Sequence, residues 1–135
     1  MEEIKKVVID TNIFVSAHIA GGTIIQEIID KWIEEKFILL ISKPILEEII
    51  EVFKRKRIEA KKIEKLLNLI SQKAILIEPK EKLEIIKDDP EDNKFLECAV
   101  EGKADYIVSG DIHLLSLKKY KDIPIFKVRE FIKLV

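Results

Sequence analysis

The apolar residues of this chain follow two alternating rhythms: short unbroken runs rich in isoleucine and valine, and longer stretches in which apolar residues recur every three or four positions. Short runs bounded by turn residues suit strands buried on both faces, whereas the longer rhythm suits helices with one buried side. Their alternation predicts an α/β domain with a mostly parallel sheet of about five strands. Residues 4–9, ending in Val7, Val8 and Ile9, read as the first strand, and the polar group Asp10, Thr11, Asn12 follows at its carboxyl end. After Gly21 and Gly22, Thr23 and Gln26 form a capping-box pattern. Ile25, Ile28, Ile29, Trp32 and Ile33 then trace a helix with Trp32 in the core.

Residues 37–41 read as a second strand, closed by Ser42 as a helix N-cap, with Pro44 tolerated in the first helical turn. The helix that follows buries Ile45, Leu46, Ile49, Ile50, Val52 and Phe53, and another carries Ile63, Leu66, Leu67 and Ile70, with a basic turn between them. Residues 74–77 form a third strand stopped at Pro79, and a helix from about Pro90 buries Phe95, Leu96, Ala99 and Val100 before Gly102 ends it. Tyr106, Ile107 and Val108 give a fourth strand. A short helical piece, a fifth strand around Ile125 and Phe126, and a terminal helix complete the reading. With no linker, repeat or low-complexity segment, residues 1–135 are expected to form one domain.

Composition narrows the chemistry. The 135 residues carry 24 basic and 25 acidic side chains, a net charge of −1, so no global basic field draws in a nucleic acid. A polyanionic substrate would have to be held by bound cations or by a local basic run, of which Lys54, Arg55, Lys56 and Arg57 is the densest and the candidate RNA-binding segment. The single cysteine, Cys98, excludes an internal disulfide and the cysteine pairs typical of structural zinc. The first residues show no signal-peptide pattern, and no apolar run approaches the roughly 20 residues of a membrane span. A cytoplasmic protein with no membrane partner is expected. The preference for Lys, Glu and Ile over Gln and Met matches the bias of proteins from hyperthermophiles.

The candidate chemistry lies in carboxylates. Ligands of open α/β sheets gather beyond the carboxyl ends of strands, where both Asp10 and Asp111 fall. Asp92 sits in the first turn of a helix and Glu48 about two turns into another. Each has a plain structural alternative: Asp10 as a turn residue, Asp111 as an N-cap, and Asp92 as a complement to its helix dipole. Asp89 before Pro90 reads first as an N-cap, and secondarily as a contact to a metal or its water. Glu48 lies nearer the apolar stripe than Glu47, by a margin small enough to keep both in play. Carboxylates gathered in one pocket repel one another unless a cation neutralises them, and an all-oxygen set without clustered histidine or thiolate favours Mg²⁺ or Mn²⁺. His18 and His113 are too isolated to suggest zinc.

Val8 to Asn12, then Leu46 to Ile49 after a serine cap, then Asp89 to Leu96, and finally Ser109, Gly110, Asp111 with His113, Leu114 and Leu115 resemble the motifs of PIN-domain nucleases, in order and along essentially the whole chain. The likeness is to the small single-domain members grouped with toxins of toxin-antitoxin pairs. It implies a three-layer α/β/α sandwich and an endoribonuclease that hydrolyses RNA through a metal-activated water. It also implies a metal-binding, catalytic set of Asp10, Glu48, Asp92 and Asp111, with Asn12 and Ser109 as supporting polar neighbours. A homodimer and a small antitoxin that blocks the acidic cleft are implied as partners.

Two other functions compete. A haloacid-dehalogenase-like phosphatase wants a second aspartate two residues after the first, where this chain has Asn12. A non-catalytic PIN-like module that binds RNA or a protein is opposed by the presence of all four acids.

Overall fold

The computed structural model describes residues 3–19 and 23–135. The chain runs β1 (Lys6–Ile9), α1 (Thr11–Ile19), α2 (Thr23–Ile33), β2 (Ile38–Ser42), α3 (Lys43–Arg55), α4 (Ala60–Lys73) and β3 (Ala74–Ile77). After an extended crossover come a 3-10 turn (Pro90–Asp92), α5 (Asn93–Gly102), β4 (Tyr106–Val108), α6 (Ile112–Leu115), β5 (Lys119–Tyr120), β6 (Ile123–Phe126) and α7 (Val128–Ile132). The strands form one sheet in the order β3-β2-β1-β4-β6-β5, parallel throughout except for the antiparallel β5–β6 pair.

This order explains where the helices lie. The chain steps outward from β1 to β2 to β3 and returns through α5 to β4 on the other side of β1. Right-handed crossovers therefore put α5 on one face of the sheet and the β1–β2 and β2–β3 connections on the other. The result is an α/β/α sandwich. It also makes the β1–β4 boundary a topological switch point, beyond whose carboxyl ends a crevice must open.

The central strands are apolar on both faces because both are covered, and Val7, Val8, Leu39, Leu40, Ile107 and Val108 are all buried. Trp32 is fully buried, meets Phe14 edge to face at 6.0 Å between ring centroids, and donates its Nε1 hydrogen to the Lys73 carbonyl at 2.9 Å. The indole thereby anchors α2 to the end of α4. Cys98 is buried, and burial pushes its thiol up to about 12, which leaves it an inert core residue.

Several local expectations need correction. The sheet has six strands among the described residues, because the two-residue β5 pairs with β6. Residues 11–19 form a helix that the hydrophobic rhythm did not suggest, since Ile13, Phe14 and Val15 are all buried side by side and leave no amphipathic stripe. Gln26 bonds forward to Asp30 Oδ1 at 2.9 Å, while Gly21, Gly22 and the side chain of Thr23 lie outside the described residues. Ser42 does cap α3, accepting from the Ile45 amide at 3.5 Å.

Gly102 ends α5 for a packing reason. The left-handed residue at the helix end is Lys103, at φ 53°, whereas a Cβ on Gly102 would lie 2.7 Å from Leu40 Cδ1 and 3.1 Å from two Ile77 side-chain carbons. The missing side chain lets α5 lie close against the sheet.

Phe14→Ala empties a fully enclosed site between α1 and α2 and is expected to cost about 3–5 kcal/mol of stability, read as a lowered urea midpoint at unchanged slope.

Candidate active site

β1 and β4 end side by side, and the amide of Asp10 continues their ladder by donating to the Val108 carbonyl at 3.0 Å. The next residues on each strand therefore face one another. Ser109 donates its hydroxyl to Asp10 Oδ2, and the same Oγ accepts from the Asp111 amide at 2.9 Å. One serine thus ties the two strand-end aspartates together. Asp10 also accepts from the Gly110 amide at 3.1 Å and, through Oδ1, from the Ile13 amide at 3.3 Å. Asp111 caps α6 by accepting from the His113 amide at 2.7 Å.

The third group comes from the crossover. Asn93, the first residue of α5, is buried and makes four hydrogen bonds: its Oδ1 accepts from the amides of Ile85 and Ile86, and its Nδ2 donates to the carbonyls of Ile86 and Pro90. Glu97 and Glu101 on the same helix accept from the amides of Leu83 and Lys80. These bonds hold the irregular segment against α5 and set the 3-10 turn that presents Asp89 and Asp92.

One carboxylate oxygen from each of Asp89, Asp92 and Asp111 lies within 4.8 Å of the other two. Asp92 is 8% exposed, and its Oδ2 is a buried oxygen with no hydrogen-bond partner. An orphaned buried carboxylate oxygen costs free energy unless something satisfies it, and a cation among three aspartates does so. Oxygens on one Mg²⁺ ion lie up to about 4.2 Å apart, so movements of under about 1 Å would bring all three into its coordination sphere. The donor set fits a hard divalent ion.

Electrostatics reflect this gathering. Burial, followed by the charges of Asp111 and Asp89, raises Asp92 to about 7. Burial also raises Asp10, against the opposing pull of its bonds from Ser109, Gly110 and Ile13.

The structure brings all four sequence-designated acids, Asp10, Glu48, Asp92 and Asp111, to one cleft of about 150 Å³, with Thr11, Asn12, Arg55, Asp89 and Glu91 also on its walls. Glu48 stands apart from the three-aspartate cluster: its Oε1 accepts from Thr11 and its Oε2 from Lys94 at 2.8 Å. Glu47 is exposed and lines an outer groove of about 1100 Å³ instead. Asp89 makes no side-chain cap bond and joins the cluster, the lesser of its two sequence readings. Asn12 is exposed at the cleft, whereas Ser109 is fully buried. Of the basic run, Arg55 borders both cleft and groove, while Lys54, Lys56 and Arg57, though exposed, border neither. His18 bonds the Phe14 carbonyl and stacks near Phe53, away from any metal-ligand group.

Sequence reasoning missed the roles of Asn93 and Lys94. The spacing of Glu91 and Lys94, three apart at a helix start, was the available signal, but partners from α3 and the crossover come only with the tertiary fold.

Residues 6–113 match the PIN domain family, and the chain belongs to it. This is a family of nucleases that use divalent metals. The chain is 40% identical over 124 residues to the uncharacterized protein MJ1680 of Methanocaldococcus jannaschii, covering 87% of this chain and 79% of that protein. Its fold is similar to a chain in the crystal structure of VapBC2 from Rickettsia felis bound to a DNA fragment from their promoter, with TM-score 0.61 and 15% identity over 89% of this chain and 96% of that one.

The raised Asp92 fixes a pH dependence. A carboxyl whose folded-state pKa lies above its unfolded value contributes stability that is fully present at low pH and lost as pH rises through the folded value. In EDTA the protein should therefore lose stability between about 4 and 7, the window from the ordinary value of 3.8 to that of buried Asp92. Melting temperatures across pH should show this loss, Asp92→Asn should reduce it to the part that the raised Asp10 contributes, and Mg²⁺ should stabilise far more at pH 8 than at pH 5. A flat profile for the parent protein in EDTA would contradict it.

Proposed function

We propose that the protein, as a single PIN domain over residues 1–135, is a divalent-metal-dependent endoribonuclease. The observation that carries this reading is the gathering of one carboxylate oxygen each from Asp89, Asp92 and Asp111 in the switch-point cleft, with Asp92 also carrying a buried oxygen that has no partner. A Mg²⁺ or Mn²⁺ ion held there supplies charge neutralisation at a phosphate and lowers the pKa of an attacking water.

The chain's own groups define the rest. Asp92, Asp111 and Asp89 hold the ion, and Asp10 is oriented by Ser109, Gly110 and Ile13 so that its Oδ1, with only one long bond, keeps acceptor capacity for the ion or a water. Ser109 acts through Asp10 and Asp111, and Asn12 offers an exposed amide at the rim. Arg55 brings positive charge to the mouth of an acidic cleft that would otherwise repel a polyanion. No protein nucleophile is required, and the sole cysteine is buried and protonated.

From the resemblance to the small toxin-grouped members we extend this reading to a toxin of a toxin-antitoxin pair, with an antitoxin protein as partner and a homodimer as the working form. The fold likeness to a chain of the VapBC2 complex supports the fold on which that extension rests. No helix among the described residues is long and apolar enough to cross a membrane, which agrees with action on RNA in the cytoplasm.

Labelled single-stranded RNA should be cut in Mn²⁺ and left whole in EDTA or by the Asp10→Ala, Asp111→Ala double variant. Ser109→Ala should lower the rate about 10- to 100-fold, the usual effect of losing a group that orients ligands. Cutting that survives EDTA would defeat the metal mechanism, and a folded, metal-loaded protein that cuts no RNA would point to the binding-module alternative.

Arg55→Ala should weaken RNA binding and reduce the dependence of log affinity on log salt by about one. Equal effects from Lys54→Ala and Lys56→Ala would show a diffuse basic face instead.

A further inference from the structure

Six carboxylates border the cleft, from Asp10, Glu48, Asp89, Glu91, Asp92 and Asp111. They divide into two seats. Asp89, Asp92 and Asp111 form one, which no lysine or arginine ion pair enters among the described residues and which contains the partnerless Asp92 oxygen. Glu48 and Glu91 form the other, and a cation of the chain already occupies it. Lys94 Nζ lies 2.8 Å from Glu48 Oε2 and 3.0 Å from Glu91 Oε2, and its side chain is only 11% exposed.

We propose that Lys94 is a built-in second cation of the active site, whose ammonium fills the Glu48–Glu91 seat and limits the chain to one divalent ion on Asp89, Asp92 and Asp111. This deepens the proposed function and rests on its metal site. Glu48 has both oxygens engaged, one by Thr11 and one by Lys94, so it positions Lys94 and does not compete for the ion. A largely buried ammonium between two carboxylates is the arrangement in which a charge is retained inside a protein. Lys94 is also rigidly placed, because the adjacent Asn93 is fixed by three hydrogen bonds to the crossover and one to Pro90 of the 3-10 turn. Remove the ammonium, and the part-buried Glu48 carboxylate with the more exposed Glu91 beside it leaves two negative oxygens free to take a second hard cation. Lys94 is accordingly a positioning and charge-setting residue rather than a catalytic one.

The test counts ions. Mn²⁺ titrated into the full-length protein, followed by calorimetry and by the loss of the free-ion electron-spin signal, should saturate at one ion per chain. Lys94→Gln should raise this to two, Lys94→Arg should keep it at one, and Glu48→Gln should also keep it at one. Two ions in the parent protein, a Lys94→Gln protein that folds yet still binds one, or loss of the ion in Glu48→Gln each overturns the proposal. Melting curves identify any variant that fails to fold, and if Lys94→Gln does so, the counts for the parent protein and Glu48→Gln decide. RNA cleavage is scored separately. One bound ion with no cleavage sinks the ribonuclease reading and leaves Lys94 as proposed, whereas two ions with metal-dependent cleavage sink the role of Lys94 alone. No ion bound at all overturns both.

Discussion

The parallel pairing of β1 with β4 brings Asp10 next to Ser109, and the serine hydroxyl shared between the Asp10 carboxylate and the Asp111 amide makes the strand ends into a site. Neither strand does this alone. β1 is first in sequence and one of the two central strands of the sheet, with β2 on one side and β4 on the other, so its carboxyl end lies where the chain's crossovers part to opposite faces. The crevice there is a consequence of topology. Its acidic character is a consequence of which residues follow the two strands.

Gathering carboxylates at such a place sets a charge problem that the fold solves unevenly. Asp10 receives three donors, Asp111 receives the His113 amide, and Glu48 receives a hydroxyl and an ammonium. Asp92 is the exception. Its Oδ2 receives nothing, and burial together with Asp111 and Asp89 raises its pKa to about 7. A protein that needed only stability would fill that gap with a donor, as it does for the acid beside it. Local rules broken at one buried oxygen, and kept around it, are what single out Asp92 for the ion proposed above.

The sequence made the frame legible wherever one rhythm prevailed. β1, β2 and β4 stood out as apolar runs, and α3 and α5 as helical stripes, because burial of both strand faces and of one helix face leaves those patterns. β3 showed the same apolar run although Ile75 and Leu76 are exposed at the sheet edge. α1 was hidden, since Ile13, Phe14 and Val15 are buried on several sides of one short helix. β5 was too short to show a pattern in Lys119 and Tyr120. At the site, Asp10 and Asp111 could be read from their places after strands, while family resemblance selected Glu48 and Asp92. Asp89 was legible first as a cap and only second as a metal contact, because Asp before Pro at a helix start has a sufficient local explanation. Its carboxylate proves to face Asp111, across a distance in sequence that no local rule spans.

Asp92 and Lys94 show how closely opposite charges can be assigned different work. They are two residues apart at the start of one helix, yet Asp92 makes no ion pair with Lys94, whose ammonium turns to Glu48 and Glu91. Had Lys94 reached Asp92, the pair would have neutralised itself and closed the proposed ion seat. Asn93 between them prevents any easy rearrangement, since turning the helix start would break its three bonds to the crossover. Specificity for a single ion would then depend less on the number of acids than on the backbone that keeps one of them out of reach of the nearest lysine.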